Sequence, residues 1–223
     1  MSAREDDRQR AERLLPGVSR ETWSRLEGLV ALLERWNAKT NLVAPREMDA
    51  VWTRHIADSL QLLDHAPTEA KTFVDLGSGG GFPGLVLACA LAGRPGARVH
   101  LVESVQRKAA FLREAVRSLR LPAEVHARRI EEIDPASFGK VDVVTARALA
   151  PLPQLCELVQ PLLGKGGIAL LPKGKDVNRE LTEASESWTI RATKLPSVTD
   201  GGGTILKVEQ LDRRAPTGSI RVP

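Results

Sequence analysis

A glycine-rich loop carries the clearest chemical signal in this amino-acid sequence. Residues 73–84 read FVDLGSGGGFPG, follow a run of β-forming residues and lead into an apolar helical stretch. Gly77, Gly79 and Gly81 permit a tight turn and remove side chains that would keep a ligand away from the backbone. A loop of this kind at the start of a helix is typical of a site for an adenosine-containing cofactor.

The glycine spacing alone fits two classes of cofactor. Gly79, Gly81 and Gly84 satisfy the GxGxxG pattern of dinucleotide-binding loops, and Glu103 follows about 20 residues later, where a ribose-binding acid belongs. Asp75, two residues before the first glycine, favours the other class, because its carboxylate would repel a pyrophosphate but attract the ammonium and sulfonium of S-adenosylmethionine. The sequence therefore predicts S-adenosylmethionine, with an NAD-dependent oxidoreductase as the alternative.

The ends of the second and third predicted strands supply further candidate contacts. Glu103 can accept hydrogen bonds from both ribose hydroxyls, although an acid at a helix start is the alternative interpretation. After the third strand, Ile130 can pack on the adenine, while the backbone of Ile130 and Glu131 reads its edge. Acids that merely begin a helix are equally compatible with this segment.

The segment after the fourth predicted strand, which normally approaches the transferred methyl group, reads TARALA from Thr145 to Ala150. It has neither the Asn-Pro-Pro-aromatic pattern that holds an exocyclic amine nor a cysteine to attack a pyrimidine ring. This favours an acceptor that is already nucleophilic, such as guanine N7, which needs alignment with the methyl group and no general base. Arg147 is the predicted catalytic residue, acting by positioning through its planar guanidinium. A surface arginine paired with a neighbouring acid is the alternative.

Composition limits the class of protein. A chain of 223 residues, 42% hydrophobic and 27% charged, is expected to fold as one large globular domain with at most a small appendage. It shows no secretory signal and no apolar run of membrane-spanning length. The only cysteines, Cys89 and Cys156, fit a reducing cytoplasm, cannot build a zinc site and are expected in the core. Four Trp, four Phe and no Tyr disfavour a broad base-stacking platform.

Positive charge is concentrated locally, although the net charge is only +4. Residues 98–129 hold eight basic and three acidic groups, and the spacing of Arg113, Arg117 and Arg120 places them on one helix face. A second basic group surrounds the end of the fifth predicted strand and comprises Lys165, Lys173 and Lys175. The two groups predict a track for RNA phosphates, with solvated surface as the alternative.

The elements that must position these residues follow from hydrophobic periodicity. Residues 1–66 predict an N-terminal helical segment, with one helix capped by Ser19 and a second over 48–63. Residues 67–211 predict five strands alternating with helices, and then two strands that pair antiparallel. The fold expected is α/β, a Rossmann-like class I methyltransferase whose seven-stranded sheet is mostly parallel with an antiparallel last strand. Residues 212–223 are expected to form a C-terminal tail.

Several motifs together resemble the small-subunit ribosomal RNA guanine-N7 methyltransferase G family, also called glucose-inhibited division protein B. The resemblance covers residues 36–174, and its marks are WNxxxNL from Trp36, RHIxDSL from Arg54, DLGSGGGFPG from Asp75, ES from Glu103, IEE from Ile130, ARA from Ala146 and KG from Lys173. It implies methylation of guanine N7 in the 530 loop of 16S ribosomal RNA, using S-adenosylmethionine. The cytoplasmic small ribosomal subunit is the expected partner, and a monomer without metal or membrane contacts is expected.

The cofactor contacts carried over by motif are Gly77, Phe82, Ile130, Glu131 and Arg147. Asp75 and Glu103 join them by charge, and Gly79 and Gly81 join them through the loop. For Arg54 and His55, helix packing is favoured over a role in RNA binding. No site is carried over from residues beyond Asn178. A ribosome-binding factor with a methyltransferase-like fold and no catalysis remains a further alternative.

Overall fold

A single seven-stranded sheet organises the protein, seen in a computed structural model that describes residues 3–164, 166–199 and 202–215. Its strands are Thr72–Leu76 (β1), Arg98–Val102 (β2), Ala123–His126 (β3), Val143–Ala146 (β4), Ile168–Lys173 (β5), Trp188–Pro196 (β6) and Thr204–Arg213 (β7). They lie in the order β3-β2-β1-β4-β5-β7-β6. Neighbours among β1–β5 pair parallel, whereas β7 pairs antiparallel with both β5 and β6. The predicted fold class is therefore confirmed.

Helices cover the sheet and precede it. The α-helices are Ala3–Leu14 (α1), Arg20–Asn37 (α2), Asp58–Leu60 (α3), Gly84–Leu91 (α4), Gln106–Ser118 (α5), Leu152–Val159 (α6) and Val177–Ser185 (α7). A π-helix, Trp52–Ala57, runs directly into α3, and 3₁₀ turns occupy Pro45–Glu47, Gln61–His65, Ile130–Glu132, Pro135–Phe138 and Gln160–Leu162. None of the helices within the described ranges has the length and apolar character needed to span a membrane.

Alternating side chains of the strands build a hydrophobic core on each face of the sheet. On β1, Phe73 packs in one cluster with Leu26 and Leu85, whereas Val74 packs in the other with Leu152. Leu26 belongs to α2, so the N-terminal helices share a core with the sheet. Burial of such side chains is the main favourable contribution to folding.

The N-terminal segment differs in detail from the sequence-based expectation. Helix α1 was not predicted, since its charged sequence buries only Ala11. Ser19 caps α2 as predicted, its Oγ accepting from the Thr22 N–H at 3.2 Å. The second predicted helix is a π-helix, a short α-helix and a 3₁₀ turn in succession. At the other end, β7 reaches Arg213, so the predicted tail starts two residues too early, and residues 216–223 lie outside the described ranges.

Candidate functional site

The glycine loop follows β1 and adopts a conformation that requires glycine. Gly77, Gly79 and Gly81 have φ values of +67°, +54° and +89°. A Cβ on Gly77 would lie 2.6 Å from the Leu149 side chain, and one on Gly81 would lie 2.4 Å from the Leu85 side chain. The loop therefore combines left-handed backbone with close approach of neighbouring side chains.

Asp75 lies beneath this loop and does not face a ligand directly. It is 1% exposed, its Oδ1 accepts from the Thr145 hydroxyl at 2.7 Å and its Oδ2 accepts from the Gly84 N–H at 3.2 Å. Burial raises the pKa of Asp75 to about 6, although these hydrogen bonds and Arg147 oppose the rise. The carboxylate therefore holds the start of α4, and its role towards the cofactor stays a prediction.

Glu103 joins the loop to the end of β2. Its Oε2 accepts from the Gly79 N–H at 2.8 Å, and its Oε1 accepts from the Val105 N–H at 2.7 Å. Each carboxylate oxygen can accept a second hydrogen bond, so both remain available to ribose hydroxyls. Glu103 thus accepts a backbone hydrogen bond just before α5 and remains a candidate ribose ligand.

Two adjoining cavities surround the loop. The larger, about 680 Å³, is lined by Phe82 and Arg147, and the smaller, about 340 Å³, by Glu103, Ile130 and Glu131. Both are lined by Gly77, Gly79, Lys108 and Ala148. Of the predicted cofactor residues, all except the underlying Asp75 and Gly81 therefore line this paired cavity.

The paired cavity fits S-adenosylmethionine. Glycines leave the loop backbone accessible, since a Cβ on Gly79 would meet only the Gly77 carbonyl, at 3.7 Å. Carboxylates lie at one end and beneath the loop, where they favour hydroxyls and a cation. Lys108, which sequence reasoning counted only as surface charge, lines both parts of the cavity and can bind the carboxylate of the cofactor.

Arg147, just beyond β4, is held firmly by the N-terminal segment. Its Nη1 donates to the Arg54 carbonyl at 3.0 Å and to Asp58 Oδ2 at 3.3 Å, while Nη2 donates to His55 Nδ1 at 2.7 Å. The guanidinium carbon lies 5.5 Å from the centre of the Phe82 ring. Arg147 does pair with an acid, Asp58, as the alternative interpretation expects. Its side chain is only 20% exposed and lines a cavity, however, so it is not an ordinary surface arginine.

His55 supports Arg147 from beneath. Its ring stacks on Phe82 with centroids 4.8 Å apart and planes inclined by 21°. Burial, together with the positive charges of Arg147 and Arg54, lowers the pKa of His55 to about 3. The ring is therefore neutral at physiological pH and accepts from Arg147. Helix packing was the favoured interpretation of Arg54 and His55. Both residues also accept hydrogen bonds from Arg147, so packing is not their only role.

Contacts distant in sequence fix the π-helix that carries Arg54 and His55. Asp7 Oδ2 accepts from the backbone N–H of Trp52 at 2.8 Å, at the start of that helix. At its end, the Thr199 hydroxyl donates to Asp58 Oδ1 at 2.9 Å. Sequence reasoning missed Asp58 and Thr199, since residues 141 positions apart leave no local pattern that links them.

A third cavity, about 710 Å³, adjoins the larger part of the paired cavity at Asp58, Arg147 and Ala148. Ala148 has a φ of +51°, a conformation that L-residues adopt rarely and that is common at functional sites. This cavity extends along the segment after β4 towards Lys173 and the β6–β7 connection. A ligand there would lie next to one in the paired cavity.

The predicted basic residues separate into surface and buried groups. Arg113 and Arg117 are exposed on α5, and Lys175 is exposed after β5. Arg120 lies beyond the end of α5 with a φ of +51°, so its assignment to the same helix face is wrong. Lys165 lies outside the described ranges.

Lys173 is not a surface lysine but lines the third cavity, and its role as an RNA contact stays a prediction. Its side chain is 9% exposed, and its Nζ donates to Glu180 Oε2 at 2.6 Å. Glu180 Oε2 also accepts from the Leu152 N–H at 2.7 Å. The pair joins α7 to the start of α6 and shapes the third cavity.

Both cysteines lie in the core, as predicted. Cys89 in α4 and Cys156 in α6 are buried, and burial raises their pKa values to about 12 and about 11. Neither is among the residues that line the three cavities described above. A thiolate nucleophile is therefore absent from this part of the molecule.

Solved structures share the fold. Cofactor-bound Rv0187 from MTB matches with a TM-score of 0.58 at 15% identity, covering 83% of this chain and 89% of that one. A SAM-dependent methyltransferase from Aquifex aeolicus matches with a TM-score of 0.55 at 14% identity, covering 80% and 97%. At these identities the likeness concerns the fold alone.

Sequence comparison is more specific. Residues 22–207 match the family model "GidB: rRNA small subunit methyltransferase G". The ribosomal RNA small subunit methyltransferase G of Bradyrhizobium sp. (strain ORS 278) is 57% identical over 90% of both chains. That of Methylobacterium sp. (strain 4-46) is 54% identical over 90% of this chain and 94% of its own. The chain therefore belongs to the rRNA small subunit methyltransferase G family and is an S-adenosylmethionine-dependent methyltransferase.

Proposed function

We propose that this protein methylates N7 of a guanine in the 530 loop of 16S ribosomal RNA, acting in the cytoplasm as a monomer on the small ribosomal subunit. The names of the relatives support ribosomal RNA of that subunit as the substrate. The observation that carries the proposal is the junction at Arg147 and Ala148, where the paired cavity adjoins the third cavity. A base in the third cavity would lie next to the cofactor.

The side chains around this junction suit an acceptor that needs no deprotonation. S-adenosylmethionine supplies an electrophilic methyl group when bound. The N7 lone pair forms the new bond and no proton leaves, so the enzyme must chiefly align the base. Neutral His55, Asp58 and the Arg54 carbonyl fix the Arg147 guanidinium, which we assign to guanine O6, beside N7 on the same edge of the base.

Exposed basic residues supply the proposed phosphate contacts. The exposed members of the predicted track are Arg113 and Arg117 on α5, Arg120 just beyond α5, and Lys175. Arg128 and Arg129 are exposed where they border the smaller cavity, and they extend the track towards it. Such contacts position an RNA without reading its sequence.

Methyl transfer from labelled S-adenosylmethionine to small subunits lacking the modification tests the proposal. Label is expected on N7-methylguanosine when the RNA is digested to nucleosides, and fragment mapping should place it in the 530 loop. Subunits with adenine at the target position are the matched control and should take up no label there. Label on another atom, another base or the ribosomal proteins would contradict the assignment.

We expect His55→Ala to lower kcat about tenfold or more, since a hydrogen bond to a charged group contributes roughly 1.5–3 kcal/mol. His55→Asn is the matched control, because the Asn amide oxygen can take the place of Nδ1, and it should restore much of the rate. Rates for substrate at saturation, measured beside circular dichroism, distinguish positioning from stability. Equal losses in the two variants would argue against a positioning role.

A further inference from the structure

Three potential metal ligands lie together on β2 and β3, apart from the cavities described above. His100 and Glu124 are register partners, and His126, two residues after Glu124, projects from the same face of β3. His100 Nδ1 lies 3.0 Å from His126 Nε2 and 3.9 Å from Glu124 Oε2. One ligand atom from each residue falls within 4.8 Å of the other two.

This donor set suits a divalent transition metal. Two atoms bound to one tetrahedral zinc ion at about 2.0–2.1 Å are roughly 3.3–3.4 Å apart, close to the separation of the two ring nitrogens. The exposed Glu124 carboxylate, on a flexible side chain, can close the longer distance.

One side of the three-residue cluster is buried, and the other side is exposed to solvent. His100 is 3% exposed, and the Phe138 ring lies 4.9 Å from His100 and 5.2 Å from His126 between ring centroids. The Glu124 side chain is 62% exposed, so an ion can enter and water can complete its coordination. Two histidines, a carboxylate and a water are a common set of zinc ligands.

We propose that His100, Glu124 and His126 bind one zinc ion. The ion would join β3, which lies at the edge of the sheet, to β2. The His126 carbonyl accepts from the Glu103 N–H at 3.1 Å, so the site adjoins the strand ends that carry Glu103 and Ile130 to the cofactor cavity. Zinc at this position would stabilise the edge of the sheet beside the paired cavity. This proposal differs from the expectation of a metal-free protein.

Calorimetric titration of untagged, chelator-treated protein with zinc chloride tests the proposal, with cobalt absorption as the spectroscopic check. One ion per chain is expected. His126→Asn should weaken zinc binding by about 100-fold and Glu124→Gln by about tenfold, since each removes one ligand. The matched control His65→Asn, which changes the half-buried histidine before β1, should bind as the wild type does.

Zinc should also raise the melting temperature of the wild type and of His65→Asn, but not of His126→Asn. Circular dichroism of the metal-free variants should show that they are folded, and Glu124→Gln alters only an exposed side chain. The proposal is overturned if the wild type binds no zinc in the micromolar range, or if His126→Asn and Glu124→Gln bind it as tightly as His65→Asn.

Discussion

Replacement of Arg147 by alanine should lower kcat/KM for methyl transfer about 100-fold or more, because small errors in the alignment of reacting groups carry losses of that size. The guanidinium is fixed by the Arg54 carbonyl, His55 and Asp58 and borders both the cofactor cavity and the third cavity. Its loss removes a positioned donor from the junction of these cavities. Single-turnover rates on small subunits measure the effect on the chemical step.

Two variants control this result. Arg147→Lys keeps the charge but lacks the planar fork, so most of the loss should persist. Arg191→Ala removes an exposed arginine of β6, which pairs with Glu209 at 3.7 Å, and should leave the rate unchanged. Activity of Arg147→Ala within twofold of the wild type would remove this residue from the mechanism.

Asp75→Asn should weaken S-adenosylmethionine binding about tenfold or more at pH 8, since a full charge beneath the loop disappears. In the wild type the pKa of Asp75 is raised to about 6, so the carboxylate is charged above this pH and affinity should fall as the pH drops through 6. The variant should show no such step. Calorimetry with the cofactor between pH 5 and pH 8 measures both effects.

Thr145→Val sharpens the test. It removes the hydroxyl that donates to Asp75 at 2.7 Å, a hydrogen bond that lowers the pKa of the carboxylate. The midpoint of the affinity change should therefore move to higher pH. Tight binding by Asp75→Asn at pH 8, or an unchanged midpoint in Thr145→Val, would contradict this account of the charge.

Asp75→Asn should weaken cofactor binding but stabilise the folded protein at high pH. The folded pKa lies above the unfolded value of 3.8, so the buried charge destabilises the fold fully above pH 6 and not at all below 3.8. Asp75→Asn avoids this cost, which is roughly 2–3 kcal/mol. Its melting temperature relative to the wild type should thus be higher at pH 8 than at pH 4.

The sheet could be predicted because its signals are local. Strand and helix periodicities alternate from β1 onward, and crossover rules then indicate that these strands pair parallel. Helix α1 has no such signal, since its sequence is charged throughout and buries only Ala11. The positions of the loop glycines and of Glu103 could be predicted for the same reason, because each directly follows a strand that the local sequence indicates.

Other features depend on partners that are distant in sequence. Nothing near Asp75 indicates that Thr145, 70 residues later, will cover its carboxylate. The network around Arg147 joins residues about 90 positions apart, from the π-helix to the end of β4. The local sequence shows which residues could bind a ligand. Tertiary packing decides which of those side chains remain accessible to it.

Asp58 ties together chain segments that are synthesised at very different times. Its carboxylate accepts from Arg147 and from Thr199, which follow it by 89 and 141 residues. During translation the helices that precede β1 emerge first, yet Asp58 gains its last partner only after another 141 residues have been added. A nascent chain that has not yet reached Thr199 should therefore lack the completed Arg147 network and methyl-transfer competence.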